Sequence, residues 1–176
     1  YNNLYLGFHR LAINGLNKES NQPFEINDII LICNGEIYNY KELANENNIT
    51  LNTHSDCEII LHLYKLYGIE YTLNILDGVF AFIIYDKNNN IIVSARDPYG
   101  VRPLYYFFDN NVMSFASELK VLYNLTENKK KISNFIPGNY MTININSTNI
   151  NEINYSIKSY TYFPCSENIS NINVCI

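Results

Sequence analysis

The sequence predicts an α+β domain in which antiparallel sheets are stacked and covered by helices. Two predicted hairpins support this: residues 79–85 with residues 91–95, and residues 104–108 with residues 112–116. The first hairpin is apolar on both faces, so it has to be covered on both sides, by a second sheet or by helices. A chain of 176 residues is long enough to bury such a core.

The strand predicted at residues 29–33 (IILIC) is the one around which the other elements are arranged. Four branched apolar residues and Cys33 make it long enough to be buried on both faces. Asn34-Gly35 is a strong turn signal, so we expect the strand to end there, and an ordinary hairpin turn is one interpretation of the pair. In the other, the Asn34 amide and the Gly35 N–H hold a developing oxyanion at the rim, beside the Glu36 carboxylate.

Helices are predicted at residues 40–48 and after the sequence SDCE at 55–58, which has the form of a capping box. The second helix is expected to end at Gly68 and to bury one stripe of side chains: Ile59, Ile60, Leu63, Leu66 and Tyr67. Asp56 would then lie in the first turn, where the helix dipole favours a carboxylate whatever its function.

The rest of the chain divides into short elements and loops. Residues 9–13 (HRLAI) predict a strand with Arg10 inside it, either directed to solvent or aimed at a ligand carboxylate. Residues 96–103 predict a rigid charged loop, a short helix follows from Ser117, and lysines 129–131 predict a solvated loop. A last strand is expected at residues 139–145. We expect one domain at residues 1–145 and a low-order linker at 146–176.

Composition argues against several classes of function. The net charge of −5 argues against a nucleic-acid or anionic-membrane surface, and no apolar run approaches the length of a membrane span. The four cysteines have neither metal-ligand spacing nor the density of a disulfide framework, which favours a reducing, cytoplasmic setting. His54, Cys57 and His62 have no fourth ligand nearby in sequence, so no metal site is predicted.

Six short motifs occur in one order along the chain, and together they are more specific than any one of them. They are HRLAI at 9–13, NGEIYN at 34–39, SDCE at 55–58, GVFAF at 78–82, ARDPYG at 95–100 and FASE at 115–118. In this order they resemble the glutaminase domain of class II glutamine amidotransferases, which are N-terminal-nucleophile hydrolases with an αββα sandwich. NGEIYN, FASE and the later PGNY at 137–140 resemble the glutamine-hydrolysing asparagine synthetases most closely.

The resemblance implies a role for each candidate site residue. Arg10 would grip the α-carboxylate of glutamine as a bidentate fork. Glu36 and Asp56 would face its α-ammonium group. Asn34 and the Gly35 N–H would form the oxyanion hole. No metal and no cofactor are implied for this domain, whereas ATP and Mg²⁺ would bind in a synthetase domain, the partner to which residues 146–176 would lead.

The resemblance also implies a nucleophilic cysteine at the N-terminus, activated by its own α-amino group. Residue 1 is Tyr1, and a segment that precedes residues 9–13 in the family is not present, so we expect a piece of a longer polypeptide that does not release ammonia by itself. Cys33 and Cys57 are expected to be small buried hydrophobes.

The expected intact protein is a cytoplasmic ligase that hydrolyses glutamine and uses the ammonia to amidate aspartate, and a homodimer is left open. Two alternatives remain: a glutaminase domain that serves a phosphoribosyl or hexosamine reaction, and a non-catalytic domain that binds amino acids or a partner.

Overall fold

The computed structural model describes residues 4–10, 16–109, 112–145 and 154–160. In these ranges the strands form two antiparallel sheets. The strands in chain order are Phe24–Ile26 (β1), Ile29–Ile37 (β2), Gly78–Asp86 (β3), Ile91–Arg96 (β4), Tyr105–Asp109 (β5), Val112–Ala116 (β6), Ser133–Asn134 (β7), Asn139–Asn144 (β8) and Asn154–Ser159 (β9). The larger sheet has the order β1-β2-β3-β4-β8-β9, and the smaller has the order β6-β5-β7.

Three α-helices accompany the sheets in the described ranges: Tyr40–Glu46 (α1), Glu58–Ile75 (α2) and Leu119–Tyr123 (α3). Short 3₁₀ turns cover Lys18–Ser20 and Lys129–Lys131, the second of which was predicted as a loop. The predicted hairpins agree with the observed strands to within one or two residues, because continuous apolar runs mark buried strands clearly.

The core lies on both faces of the larger sheet. On one face Leu31, Phe80 and Phe82 pack with side chains of α1 and α2. On the other face the buried side chains of β3, β4 and β8 pack against aromatic residues of β5 and β6, namely Tyr106, Phe108 and Phe115. Helix α3 contacts β5 and β6. The predicted α+β sandwich of stacked antiparallel sheets with helices is confirmed.

The prediction that β2 ends at Asn34-Gly35 is wrong. The strand continues to Ile37, and its last positions pair with β3 as Asn34 with Ala81, Gly35 with Phe80 and Glu36 with Val79. A long antiparallel ladder supplies more hydrogen bonds than a local turn, so tertiary pairing overrides the turn preference of the dipeptide.

The helix prediction after residue 55 is right in place and wrong in two details. Helix α2 does not end at Gly68; it bends there, where φ is +77°, and continues to Ile75. Leu66 and Tyr67 are exposed, so the buried stripe is narrower than predicted. Glycine alone adopts this backbone geometry without strain, which makes it compatible with a kink as well as with a helix end.

The low-order prediction from Asn146 onward is wrong for residues 154–159. These residues form β9, which pairs with β8 along its whole length, from Asn154 opposite Asn144 to Ser159 opposite Asn139. The polar composition of the segment gives no strand signal, but the open edge of β8 supplies its backbone partners. The domain boundary at residue 145 stays a prediction.

Candidate active site

Strand β2 places the predicted oxyanion residues inside a strand and not on a turn. Its odd-numbered side chains, including Leu31 and Cys33, belong to the core under α1 and α2. Because side chains alternate along a strand, Asn34 and Glu36 face the opposite side, toward the smaller sheet. Ala81, the cross-strand partner of Asn34, lies in the core between the two sheets. Asn34 and Glu36 therefore share one face, and both are partly exposed.

The backbone of Gly35 points away from β3. The Asp97 N–H donates to the Phe80 carbonyl at 2.7 Å, so the polar backbone groups of Phe80 face β4. By the alternation of an antiparallel ladder, those of Ala81 face Asn34, and those of Gly35 face the outer edge of β2. Beyond the pairing of Phe24 with Leu31, no backbone strand of the described residues covers this edge.

Three side chains occupy this outer edge of β2. The Gln22 amide binds Cys33 twice: its Nε2 donates to the Cys33 carbonyl at 2.9 Å, and the Cys33 N–H donates to its Oε1 at 2.6 Å. The Cys57 thiol lies 3.6 Å from the Gly35 carbonyl. The Ile37 N–H donates to Asp56 Oδ2 at 2.7 Å. Within the described ranges the Gly35 N–H has no acceptor, so it can donate to a ligand. The strand is fixed on either side of it, by Gln22 at Cys33 and by Asp56 at Ile37.

Gly35 is also a position of close backbone approach. A Cβ atom at this residue would lie 2.5 Å from the Val79 carbonyl oxygen and 2.8 Å from the Phe80 Cα. Gly78 is similar, since its Cβ would lie 2.3 Å from the Glu36 carbonyl oxygen. Real Cβ contacts are longer, so β2 and β3 can approach this closely only with glycine at both positions.

Asp56 is a buried carboxylate at the start of α2, 6% exposed, and its contact with Ile37 joins the helix to the end of β2. The loop before it is held by Glu58, which is 2% exposed. Glu58 accepts hydrogen bonds from the N–H groups of Asn52 and Thr53 at 2.8 and 2.7 Å, and from Thr53 Oγ1 at 2.6 Å. His62 Nε2 lies 3.1 Å from the same carboxylate.

Glu58 therefore does not complete the predicted capping box with Ser55. Its carboxylate reaches back to residues 52 and 53, and the residue at the N-cap position is Cys57. Burial opposes ionisation of Glu58, but the hydrogen bonds with His62, Thr53 and Asn52 outweigh it and lower its pKa from 4.5 to about 2. An ionised Glu58 thus fixes the loop that ends at Asp56.

Arg10 is joined to the same region through the loop that follows it. Its guanidinium donates to the Asn21 Oδ1 at 2.9 Å and to the Asn17 carbonyl at 3.3 Å. The Ser20 hydroxyl donates to Asn17 Oδ1 at 2.6 Å and accepts from the His54 N–H at 3.2 Å. Arg10 lies outside any strand, and residues 11–13 of the predicted strand lie outside the described residues. These contacts place the Arg10 loop beside the loop that carries Asp56.

The two cysteines of the described ranges are buried beside this edge. Cys33 is 2% exposed and Cys57 is 3% exposed, and neither forms a disulfide. A hydrogen bond with Cys33, burial and the charge of Asp56 raise the pKa of the Cys57 thiol well above its ordinary value. A thiol that is buried and protonated is a poor nucleophile.

Arg96 and Asp97, at the end of β4 and the start of the loop that follows it, both form hydrogen bonds within the domain. The Arg96 guanidinium donates to the carbonyls of Arg102, Phe135 and Gly100 at 2.7, 2.6 and 2.8 Å. The Asp97 carboxylate accepts from the N–H groups of Tyr99, Val101 and Arg102, each at 3.0 Å. Five of these six hydrogen bonds hold backbone groups of residues 99–102, and the rigidity of residues 96–103 stays a prediction.

A comparison with protein families bears on what this arrangement does. The family model described as glutamine amidotransferase domain matches residues 1–164, which is most of the chain. The chain belongs to this family. The resemblance inferred from the six motifs is thereby confirmed.

Two curated relatives of this glutamine amidotransferase domain are 46% and 40% identical to it over the aligned residues. It is 46% identical over 145 residues to a protein named probable asparagine synthetase [glutamine-hydrolyzing] from Acanthamoeba polyphaga mimivirus, covering 81% of this chain and 26% of that one. It is 40% identical over 152 residues to asparagine synthetase [glutamine-hydrolyzing] from Gallus gallus, covering 82% and 27%. The chain thus spans about a quarter of the length of these relatives.

Among solved structures, the domain is similar in fold to the glutamine phosphoribosylpyrophosphate amidotransferase of B. subtilis. The TM-score is 0.65 and the identity is 24%, covering 82% of this chain and 33% of that one. This likeness supports the fold. Two further observations concern the described residues only: none of their helices is long and apolar enough to cross a membrane, and no group of three His, Cys, Asp or Glu side chains is arranged to hold a metal ion.

Sequence reasoning missed two side chains that hold the backbone at this candidate site. The sequence predicts a polar loop at residues 14–23, which include Gln22, and a capping box that includes Glu58. Neither has a local signal for its contacts, because Gln22 binds a strand eleven residues away and Glu58 binds backbone groups on its N-terminal side. The short strand β1, which directly follows Gln22-Pro23, was also missed.

Proposed function

We propose that this domain hydrolyses glutamine to glutamate and ammonia, and that the polypeptide that contains it is a ligase that amidates aspartate to asparagine. The observation that carries the proposal is the Gly35 N–H, which lies without an acceptor among the described residues on the outer edge of β2, next to Asn34. The names of the relatives at 40 and 46% identity support asparagine as the product.

The proposed chemistry begins with binding of the glutamine zwitterion. Arg10 binds the α-carboxylate, and the carboxylates of Glu36 and Asp56 attract the α-ammonium group. The side-chain contact of Asp56 with Ile37 uses one carboxylate oxygen, Oδ2, so Asp56 has a structural role in addition to the proposed one.

The reaction itself is acyl transfer to a thiol. A cysteine thiolate attacks the side-chain amide carbon, and the negative charge that develops on the amide oxygen is stabilised by the Gly35 N–H and the Asn34 amide. The α-amino group of that cysteine, which took the thiol proton, returns it to the amide nitrogen as the C–N bond breaks, so that ammonia leaves. Water then hydrolyses the thioester to glutamate and restores the thiol. Cys33 and Cys57 do not suit the nucleophile because both are buried, and we assign this role to the N-terminal cysteine that the family resemblance implies.

The ammonia is used in a synthetase domain, where ATP and Mg²⁺ bind and aspartate is activated. Residues 146–176, of which 154–159 form β9, lead toward that domain. We place this chemistry in the cytoplasm. A homodimer is compatible with the proposal.

The experiment uses the protein as it is encoded, with any segments that flank this chain. Glutamate release from glutamine, and asparagine formation from aspartate and ATP with either glutamine or ammonium as the nitrogen source, are measured together. We expect both activities. Glutamate release without asparagine formation would indicate a different acceptor, such as a phosphoribosyl or hexosamine substrate, and no glutamate release would indicate a non-catalytic domain.

A further inference from the structure

The outer edge of β2 pairs with the backbone of β1 as far as Leu31, and at Cys33 it pairs with a side chain instead. Strand β1 pairs Ile26 with Ile29 and Phe24 with Leu31, and the next position of that ladder lies opposite Cys33. There the Gln22 side chain takes the place of a backbone residue: its amide donates to the Cys33 carbonyl and accepts from the Cys33 N–H. A side-chain amide offers the same donor and acceptor pair as a peptide unit.

This substitution decides where the ladder ends. If the backbone pairing continued to the residues that precede Gln22, residue 20 would lie opposite Gly35 and could cover its N–H. The side chain of Gln22 instead completes the pairing at Cys33 and stops, one ladder position before Gly35. Asp56 holds the position on the other side, at Ile37. Among the described residues the Gly35 N–H therefore has no acceptor, and it lies in a gap whose two sides are fixed by hydrogen bonds of 2.6 to 2.9 Å.

We propose that Gln22 is a positioning residue of the glutaminase site, which aims the Gly35 N–H by fixing the backbone of β2 at Cys33. The inference rests on the proposed function, because a positioned N–H matters only where an oxyanion develops. An oxyanion hole acts through donors that are in place before the reaction, so a displaced strand costs turnover more than substrate affinity.

The chain contains a matched control for this contact. Asn39 is also a bidentate amide clamp on backbone: its Nδ2 donates to the Ile75 carbonyl at 2.9 Å, and the Asp77 N–H donates to its Oδ1 at 3.0 Å. Gln22→Leu and Asn39→Leu each remove two hydrogen bonds of the same type. They differ in the backbone that loses its contacts: Gln22→Leu frees Cys33 in β2, whereas Asn39→Leu frees Ile75 and Asp77 between α2 and β3.

The experiment measures kcat and KM for glutamine hydrolysis in the protein as encoded, together with amide hydrogen exchange of residues 29–37. For Gln22→Leu we expect kcat to fall about 10-fold or more with KM changed less than about 3-fold, and exchange at Cys33 to increase. For Asn39→Leu we expect a kcat within about 3-fold of the unsubstituted protein and unchanged exchange at Cys33.

A second variant tests the donor separately. Gln22→Glu keeps the acceptor for the Cys33 N–H and, when ionised, presents an oxygen to the Cys33 carbonyl in place of the donor. Protonation restores an O–H donor, so the loss of kcat relative to the unsubstituted protein should shrink as the pH falls through the titration of this carboxyl. A fold effect or a loss of stability alone would not produce this dependence.

Equal losses of kcat in Gln22→Leu and Asn39→Leu, or a rise in KM with kcat unchanged, would overturn the inference. If the unsubstituted protein does not hydrolyse glutamine, the proposed function fails instead. The exchange measurement still reports whether Gln22 holds β2 in that case, so the two failures are distinguishable.

Discussion

The Asp56 carboxylate accepts a hydrogen bond from the Ile37 N–H at 2.7 Å, and this contact joins the start of α2 to the end of β2. Asp56 is nineteen residues from Ile37 in sequence and is buried, so the contact is a tertiary link within the site. It also separates two roles for Asp56, holding the backbone and attracting a substrate ammonium, which can be tested with different substitutions.

Asp56→Asn should raise the KM for glutamine by about 30-fold or more and leave ammonium-dependent synthesis unchanged. Asparagine keeps an oxygen that accepts from the Ile37 N–H, but it lacks the charge that attracts an ammonium group, and losing a charged partner costs about 2–5 kcal/mol. Asp56→Ala should in addition lower the thermal stability of the protein, because alanine has no oxygen to accept from the Ile37 N–H. Steady-state kinetics with both nitrogen sources and thermal unfolding check this, and equal losses of both activities in Asp56→Asn would favour a purely structural role.

Asn34→Ala should lower the kcat of glutamine hydrolysis by about two to three orders of magnitude with little change in KM. The reason is that the amide is proposed to contact charge that develops only in the transition state. Asn88→Ala is the control, since Asn88 is an exposed asparagine whose amide donates to the Asn27 carbonyl. A raised KM with an unchanged kcat would identify Asn34 as a substrate contact.

Gly35→Ala should lower the free energy of unfolding by about 1–3 kcal/mol, because its Cβ meets the backbone of Val79 and Phe80, which cannot move without separating β2 from β3. Gly7→Ala is the matched control, since a Cβ there would meet no heavy atom of the described residues within 4 Å, apart from its two chain neighbours. Denaturant unfolding measures both. Equal stability of the two variants would mean that the strands separate without cost.

Glu58→Gln should remove a part of the acid dependence of stability. The pKa of Glu58 is about 2 in the folded state and 4.5 ordinarily, so its ionised form stabilises the fold fully above pH 4.5, and this contribution is lost as the pH falls toward 2. The stability difference between the unsubstituted protein and Glu58→Gln should therefore shrink between pH 4.5 and pH 2. Glu46→Gln, at an exposed position of α1, is the control. A constant difference across this range would contradict the lowered pKa.

Cys33 and Cys57 should resist alkylation by iodoacetamide in the folded protein at pH 7.5 and react after denaturation. Both side chains are buried, and the raised pKa of Cys57 keeps its thiol protonated. Mass spectrometry of the labelled peptides measures each site separately. Fast native labelling of Cys57, with glutamate release abolished by Cys57→Ala, would identify an internal nucleophile and contradict the proposed one.

Sequence patterns predicted the sheets well and their edges poorly. Apolar runs located β3 and β4 because buried strands are continuous in sequence. The same reasoning failed at Gly35, since a turn signal is local whereas nine pairings with β3 are not. It failed again at Asn154–Ser159, where a polar segment becomes a strand because β8 offers a free edge.

The candidate site was predicted in part. The resemblance identified Arg10, Asn34, Gly35, Glu36 and Asp56, and the structure brings β2 and Asp56 into contact. It did not identify Gln22 as the residue that completes the ladder at Cys33. In that contact a side-chain amide pairs with the backbone of Cys33 where a strand residue ordinarily would, and no periodicity or motif in the sequence predicts this kind of pairing.

The buried charges of Arg96 and Asp97 have a consequence for how the domain attracts a substrate. The two residues are adjacent and opposite in sign. Asp97 accepts from backbone N–H groups of the loop between β4 and β5, and Arg96 donates to carbonyls of that loop, to the Phe135 carbonyl and to the Asn134 side chain. Seen from several ångströms away they form a dipole, whose field decays faster with distance than that of a single charge. Because their opposite charges largely cancel at a distance, these two residues contribute little to long-range steering, and added salt, which screens exposed charges, should leave the conformation of this loop unchanged.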